Sequence, residues 1–228
     1  MYRIIVLVGI AAAVVPVLGH LIVFGPKRLP RGKKPRTVRR FGLWERFIHL
    51  ITVAGFLVLA GTGMIAVIGQ RGRLEDWLWI IHAAAAPFFA LGLSAIVVTW
   101  ARDGVFAKYD WDWAKVFGGY LWGNKHAPAG RFNGGQKGYL WLAALLGLAL
   151  VVSGLGRMAP VLDPFGQEIL YFVHRAAAVL LIMMAIVHLY LGTFANPGTF
   201  GAMILGRVSP EWAEKHHPNW WDGLREDR

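Results

Sequence analysis

Glu168 to Phe194, EILYFVHRAAAVLLIMMAIVHLYLGTF, is a run of 27 residues that is apolar almost throughout. A bilayer core about 30 Å thick takes about 20 apolar residues in helical form, so this run crosses it with some tilt. Two histidines interrupt it, His174 and His188, fourteen residues apart. At ~100° per residue that is ~1400°, about 40° short of four turns, so both imidazoles fall on one face. The rise of ~1.5 Å per residue separates them by roughly 21 Å, one near each leaflet. A single histidine in an apolar helix is most simply a hydrogen-bonded packing residue. Two on one stripe at opposite membrane depths ask for more, because ionisable groups inside a bilayer are costly and mark function.

The whole chain fits a membrane setting. It has 228 residues, 56% of them hydrophobic, and a mean hydropathy of +0.48, against about 45–50% apolar for soluble domains. The formal net charge is +11, yet only 16% of residues are charged, so the basic ones must sit in loops. No soluble module with a basic face is visible, which argues against nucleic acid as a partner. Topology and anionic membrane lipid explain the excess better. There is no cysteine, which excludes disulfides, thiolate-ligated or covalently attached haem, cysteine-held iron–sulfur clusters and cysteine zinc sites. The eight histidines are the remaining soft ligands.

Working outward, four more apolar runs precede this one. Ile4–Phe24 reads as a retained helix rather than a signal peptide, for it lacks a small-x-small cleavage site. Residues 1–26 are thus an additional N-terminal transmembrane helix. The loop 27–42 follows, and its tract Lys27 to Arg40 holds eight Lys/Arg and no acid. Residues 43–195 form a four-helix core. Its spans are Leu43–Gly69 with His49, Trp77–Trp100 with His82 and Pro87, Gly138–Gly156, and the opening stretch. Between the second and third of these, residues 101–137 form a loop in which DWDWAKVFGGYLW (110–122) suits a short interfacial amphipathic helix. Residues 196–228 are a polar tail, with KHHPNWW (215–221) fit for the headgroup level or a partner contact.

Counting Lys and Arg orients this arrangement. Eighteen fall in 27–40, 101–137 and the tail, against four (Arg3, Arg71, Arg73 and Arg157) in the remaining loops. The positive-inside rule then puts the N-terminus outside and the C-terminus in the cytoplasm. The predicted fold is an all-α membrane protein, a four-helix bundle plus one extra N-terminal helix.

Depth sorts the histidines. His49 and His188 lie a similar distance from the cytoplasmic ends of their helices, and His82 and His174 near the outer ends. Two imidazoles at each of two levels, drawn from facing helices, are what two stacked haems need. Iron held by nitrogen on both faces is closed to substrate and suited to electron transfer. Small residues would leave room for the flat ring: Gly55, Gly61, Gly63, Ala84 to Ala86, Gly92, Gly147, Gly154 and Ala176 to Ala178. Ordinary close helix packing explains the same residues. Arg46 and Arg175 are placed to meet propionates, or are simple charge markers. His20 reads as packing or snorkelling, and His126, His216 and His217 as solvated or interfacial. A proton relay would want acids inside the spans, whereas Glu45, Asp76 and Glu168 lie at helix ends. A zinc hydrolase would want an HExxH, and there is none.

Four pieces of the chain carry a more specific likeness: RFGLWERFIH (40–49), RFNGGQK (131–137), VHRAAA with MAIVHLY (173–190), and GRVSPEWAEKHHPNWW (206–221). On these the chain resembles the cytochrome b (gamma) subunit of membrane-bound formate dehydrogenases. The resemblance implies two haem b groups, an outer one held by His82 and His174 and an inner one by His49 and His188. It implies an iron–sulfur beta subunit and a molybdopterin (Mo or W) catalytic alpha subunit on the outer face of a bacterial inner membrane. Electrons would pass from the outer haem to the inner one and on to a quinone, menaquinone or ubiquinone, with protons taken from the cytoplasm. The quinone pocket would map onto Asn133, Gly135 and Gln136, close to His188. A Gly-rich turn is the plainer reading of that loop. No formate-oxidising site is expected on this chain. The cytochrome b subunit of a nickel–iron hydrogenase or a thiosulfate-type reductase is the alternative. The helix at the N-terminus is additional to the family's core, and the match around His82 is looser than elsewhere.

Overall fold

The computed structural model describes residues 2–26, 35–69, 73–120, 127–159 and 162–226. Lys27, Arg28, Arg31, Lys33 and Lys34 of the basic tract, with Arg71, Lys125, His126 and Arg228, lie outside them. Among the described residues, five helices are long and apolar enough to cross a membrane. They are α1 (Tyr2–Phe24), α2 (Leu43–Gly69), α3 (Asp76–Trp100), α5 (Gly134–Met158) and α6 (Pro164–Tyr190), the last prolonged by a π-helical turn, Leu191–Ala195. The short α4 (Lys108–Lys115) falls on the segment read as amphipathic. Helix is the obligatory form for such runs, because lipid offers no partner to an open backbone N–H or C=O. The chain is an all-α membrane protein, as expected.

Two expectations need correction. The fourth span begins at Gly134 rather than Gly138, because Asn133 caps the helix and draws the two glycines into its first turn. The tail is folded as well as polar. It forms α7 (Thr199–Leu205), α8 (Pro210–His216) and α9 (Pro218–Glu226), with a two-residue strand β2 (Arg207–Val208) antiparallel to β1 (Val38–Arg39). Ser209 starts α8 by accepting a hydrogen bond from Trp212 N, and Pro210 follows at the first helical position, where its missing N–H costs nothing.

The chain divides into two compact units. The first comprises Met1–His20, Phe47–Ile96 and Leu142–His188, and it holds the four predicted ligand histidines. In it, a Cβ on Gly55 would run into Phe89, and one on Gly92 into Thr52, so α2 and α3 approach closely through a reciprocal pair of glycines. Gly147 gives α5 the same approach to Leu93 of α3. These three therefore serve helix packing, the plainer of the two readings, while Gly61 and Gly63 meet nothing within 4 Å. Helix α1 docks on α6 where Gly9 lies against Val179 and Met183. Val6 and Ala13, on the same stripe, are buried, while most other large side chains of α1 are exposed.

The second unit comprises Leu21–Arg46, Val97–Trp141 and Leu189–Arg228. Three of the motif pieces meet in it. Arg40 donates to the Arg131 carbonyl (3.0 Å) and Arg131 to the Arg40 carbonyl (2.9 Å). Arg131 also pairs with Glu45 and with Asp103, each at 2.6 Å, and Trp100 donates to Glu45 (2.7 Å). Arg40 Nη2 lies 3.0 Å from His217 Nε2, and its guanidinium sits over the rings of Phe41, Trp212 and Trp220. Gly206 turns the chain between α7 and β2 at φ +72°, with its own carbonyl accepting from Arg40 N and Phe41 N. A Cβ there would strike the Phe41 carbonyl.

His217 is thus no solvated tail residue: it is 2% exposed, enclosed by aromatic rings. A guanidinium can only donate, so the facing Nε2 must accept, and Nδ1–H is left to donate to the Gly130 carbonyl at 2.8 Å. Burial first, and the Arg40 charge next, hold His217 well below its usual pKa. Burial pushes Arg40 itself down to about 9, with the Arg131 charge contributing, so it is still cationic at neutral pH. Below the ordinary value of 6.5, the unfolded chain takes up a proton at this imidazole that the folded chain refuses. Stability should therefore fall as pH drops from 6.5, by at most about 1.4 kcal/mol per pH unit. Thermal melts of the detergent-purified protein between pH 7.5 and 5 will test this, and His217→Phe should flatten the acid limb. A limb unchanged in that variant would assign the loss to another group.

Candidate functional site

The rings of His49 on α2 and His188 on α6 face each other with centres 6.5 Å apart and planes inclined at 44°. Those of His82 on α3 and His174 on α6 stand 6.3 Å apart at 56°. Helix α6 thus serves both pairs, because its two histidines share a stripe, and α2 and α3 supply one partner each. Among the described residues no group of three or more His, Cys, Asp or Glu could hold a bare metal ion. What the fold presents instead is two pairs of imidazole rings, one at each level of α6.

Side-chain hydroxyls brace the His82–His174 pair. Thr62 of α2 places Oγ1 2.7 Å from His82 Nδ1, and Ser153 of α5 places Oγ 3.0 Å from His174 Nδ1. Gly154 brings the α5 backbone under the His174 ring, where a Cβ would lie 3.4 Å from Cε1. Four helices therefore converge at this level, two giving rings and two giving hydroxyls. Sequence reasoning missed Thr62 and Ser153. Their only signal is a hydroxyl inside an apolar span.

Other predicted residues fare differently. Arg46 donates to the carbonyls of Met203 (2.8 Å) and Ile204, so it satisfies the last turn of α7. Arg175 stacks on Tyr171 at 3.8 Å, and Arg157 approaches the same ring at 4.4 Å. His20 is half-buried on α1.

Asn133, Gly135 and Gln136 are gathered at the start of α5. Asn133 Oδ1 accepts from Gln136 N (2.9 Å) and Gln136 Oε1 accepts from Asn133 N (3.1 Å). This is a reciprocal capping box. It uses the oxygen of each amide and leaves both NH2 groups outside it. Gly134 and Gly135 let the Trp113 ring lie against this turn, since a Cβ on either would crowd it. One residue on, Lys137 donates to Asp110 at 2.7 Å, and the two side chains are 2% and 4% exposed.

Comparison with known proteins adds to this picture. A family model described as prokaryotic cytochrome b561 matches residues 40–206. The chain is similar to the cytochrome b556(Fdn) subunit of the nitrate-inducible formate dehydrogenase of Escherichia coli K12. They are 30% identical over 204 residues, covering 82% of this chain and 92% of the relative. It is likewise similar to the cytochrome b556(fdo) subunit of that organism, at 28% over 207 residues (85% and 96% of the two chains). A formate dehydrogenase cytochrome b556 subunit from Haemophilus influenzae is 32% identical over 196 residues, covering 77% of this chain and 79% of the relative.

Proposed function

The chain belongs to the prokaryotic cytochrome b561 family, and from that premise we propose that it is the di-haem membrane subunit of a formate dehydrogenase complex. It is a multi-pass, electron-transporting cytochrome b. In the proposed role it carries electrons from an iron–sulfur partner on the outer face to a quinone on the cytoplasmic side of a bacterial inner membrane. His82 and His174 would hold one haem b, and His49 and His188 the other. Haem so held would supply one-electron transfer.

One observation carries this reading: the ring spacing of the two pairs. A metal–imidazole bond is about 2.0–2.1 Å, and the ring centre lies about 1.1 Å behind the bonded nitrogen. Two imidazoles across one iron therefore stand about 6.3 Å apart, centre to centre. The observed 6.3 and 6.5 Å match that spacing, which supports the reading. The excess of Lys and Arg in 27–40, 101–137 and the tail supports an outer N-terminus and a cytoplasmic C-terminus. The relatives are subunits of formate dehydrogenases, which supports a formate-oxidising catalytic partner; the iron–sulfur subunit and the molybdopterin (Mo or W) subunit are the partners this proposal assigns.

The complex purified from membranes should show two b haems per copy of this chain, reducible by formate, with iron–sulfur and molybdenum or tungsten subunits attached. A purified chain with fewer than two haems would overturn the di-haem assignment. A nickel–iron partner would move it to the hydrogenase alternative.

For the quinone we propose the start of α5. The free NH2 groups of Asn133 and Gln136 and the exposed backbone of Gly135 are suitable donors to a quinone carbonyl. Gln136→Ala should raise the KM for quinone severalfold with both haems retained, and steady-state turnover at varied quinone measures it. An unchanged KM would leave the residue as half of a capping box and nothing more.

A further inference from the structure

We propose that Thr62 and Ser153 are positioning residues that hold His82 and His174 in one tautomer, with the proton on Nδ1 and the lone pair on Nε2. The proposal rests on the reading that these two histidines are axial ligands. A hydroxyl owns one proton, and each of these lies in reach of two acceptors. Thr62 Oγ1 is 2.7 Å from the Val58 carbonyl of its own helix and 2.7 Å from His82 Nδ1. Ser153 Oγ is 2.5 Å from the Ala149 carbonyl and 3.0 Å from His174 Nδ1. The carbonyls of Leu59 and Leu150 are longer alternatives at 3.1 and 3.3 Å.

Had the hydroxyl given its proton to the ring, two oxygens would face each other lone pair to lone pair at 2.5–2.7 Å in a buried site. Thr62 is 6% and Ser153 1% exposed, so solvent offers no relief. Given to the carbonyl, the proton leaves the hydroxyl oxygen to accept Nδ1–H, and carbonyl, hydroxyl and ring nitrogen are all satisfied. Back-bonding to the carbonyl four residues earlier is the ordinary behaviour of Ser and Thr in apolar helices. Here that habit turns each hydroxyl into an acceptor. The same device appears twice, on α2 and on α5, each acting on one ring of the same pair. It fixes which nitrogen is bare and how each ring is turned before any ligand arrives, and it strengthens the bare nitrogen as a donor.

The test uses the intact complex, with Thr62→Val and Ser153→Ala to remove the hydroxyls and Thr62→Ser to keep one. Redox titration of the two haems is read alongside their electron paramagnetic resonance. A ring with no acceptor for its Nδ1–H donates less to oxidised iron, so the potential of the His82–His174 haem should rise. At fixed potential its oxidised-to-reduced ratio should fall about threefold to tenfold, tenfold being about 59 mV for one electron. The other haem should not move, and Thr62→Ser should behave as wild type.

Unchanged potentials in both Thr62→Val and Ser153→Ala would overturn the proposal, as would a Thr62→Ser variant shifted like the valine. If Thr62→Val loses the haem, Thr62→Ser decides: retention at the wild-type potential supports the lock. His174→Ala is the separate control on the premise. Two haems of unaltered potential in that variant would remove the ligand assignment itself, whatever the hydroxyl variants do.

Discussion

His188→Ala is expected to lower the haem content from two to one per chain and to bring quinone reduction to background, while formate still reduces the haem that remains. His188 and His49 face each other across 6.5 Å, and under the proposed function they are the two nitrogens of one haem. Removing one leaves a single imidazole, too little to retain the group through purification. The His82–His174 pair draws on another part of α6 and on the hydroxyls of α2 and α5, so it should load normally. Dithionite-reduced difference spectra give the haem count, and anaerobic formate addition tells which haem fills. Helix α6 provides its own contrast: His174→Ala should stop formate from reducing the inner haem. Two haems in His188→Ala would contradict the pairing. Full quinone turnover there would detach the chemistry from this end of α6.

The second large effect concerns stability. Lys137→Met should cost about 3–5 kcal/mol, because it strands the Asp110 carboxylate where water cannot reach it. The two groups meet at 2.7 Å and are all but fully buried. Asp110 Oδ2 also accepts from the Ala107 backbone N at 2.7 Å, so the carboxylate opens α4 and holds it to the start of α5. Adding Asp110→Asn removes the stranded charge and should recover most of the loss. Melting temperatures in detergent, compared around this double-mutant cycle, measure the coupling. For a chain of this size the single substitution should lower the melt by on the order of ten degrees. A loss under about 1 kcal/mol in Lys137→Met would mean that the pair is hydrated.

Much of this was legible in the sequence, and the reasons differ from place to place. The spans are long and apolar, so their ends came within a few residues. The ring pairs follow from helical period alone, since His174 and His188 share a stripe and the other two histidines lie near helix ends. Gly134–Gly135 reads as a turn, which hides the start of α5, although the Asn133–Gln136 spacing is a capping box in plain view. KHHP looks polar, and nothing local to His217 says that Arg40, 177 residues away, caps its ring. Thr62 and Ser153 were silent, as a hydroxyl bonded to its own helix leaves no pattern.

The seat of α1 on α6 has a consequence for how the protein is made. Gly9 and Val179 are 170 residues apart, a stretch that a ribosome translates in roughly 10–30 s. Through that interval the first helix waits in the bilayer with its Val6–Gly9–Ala13 strip uncovered, while three other helices are threaded in beside it. Assembly of the first unit therefore joins surfaces that are made far apart in time.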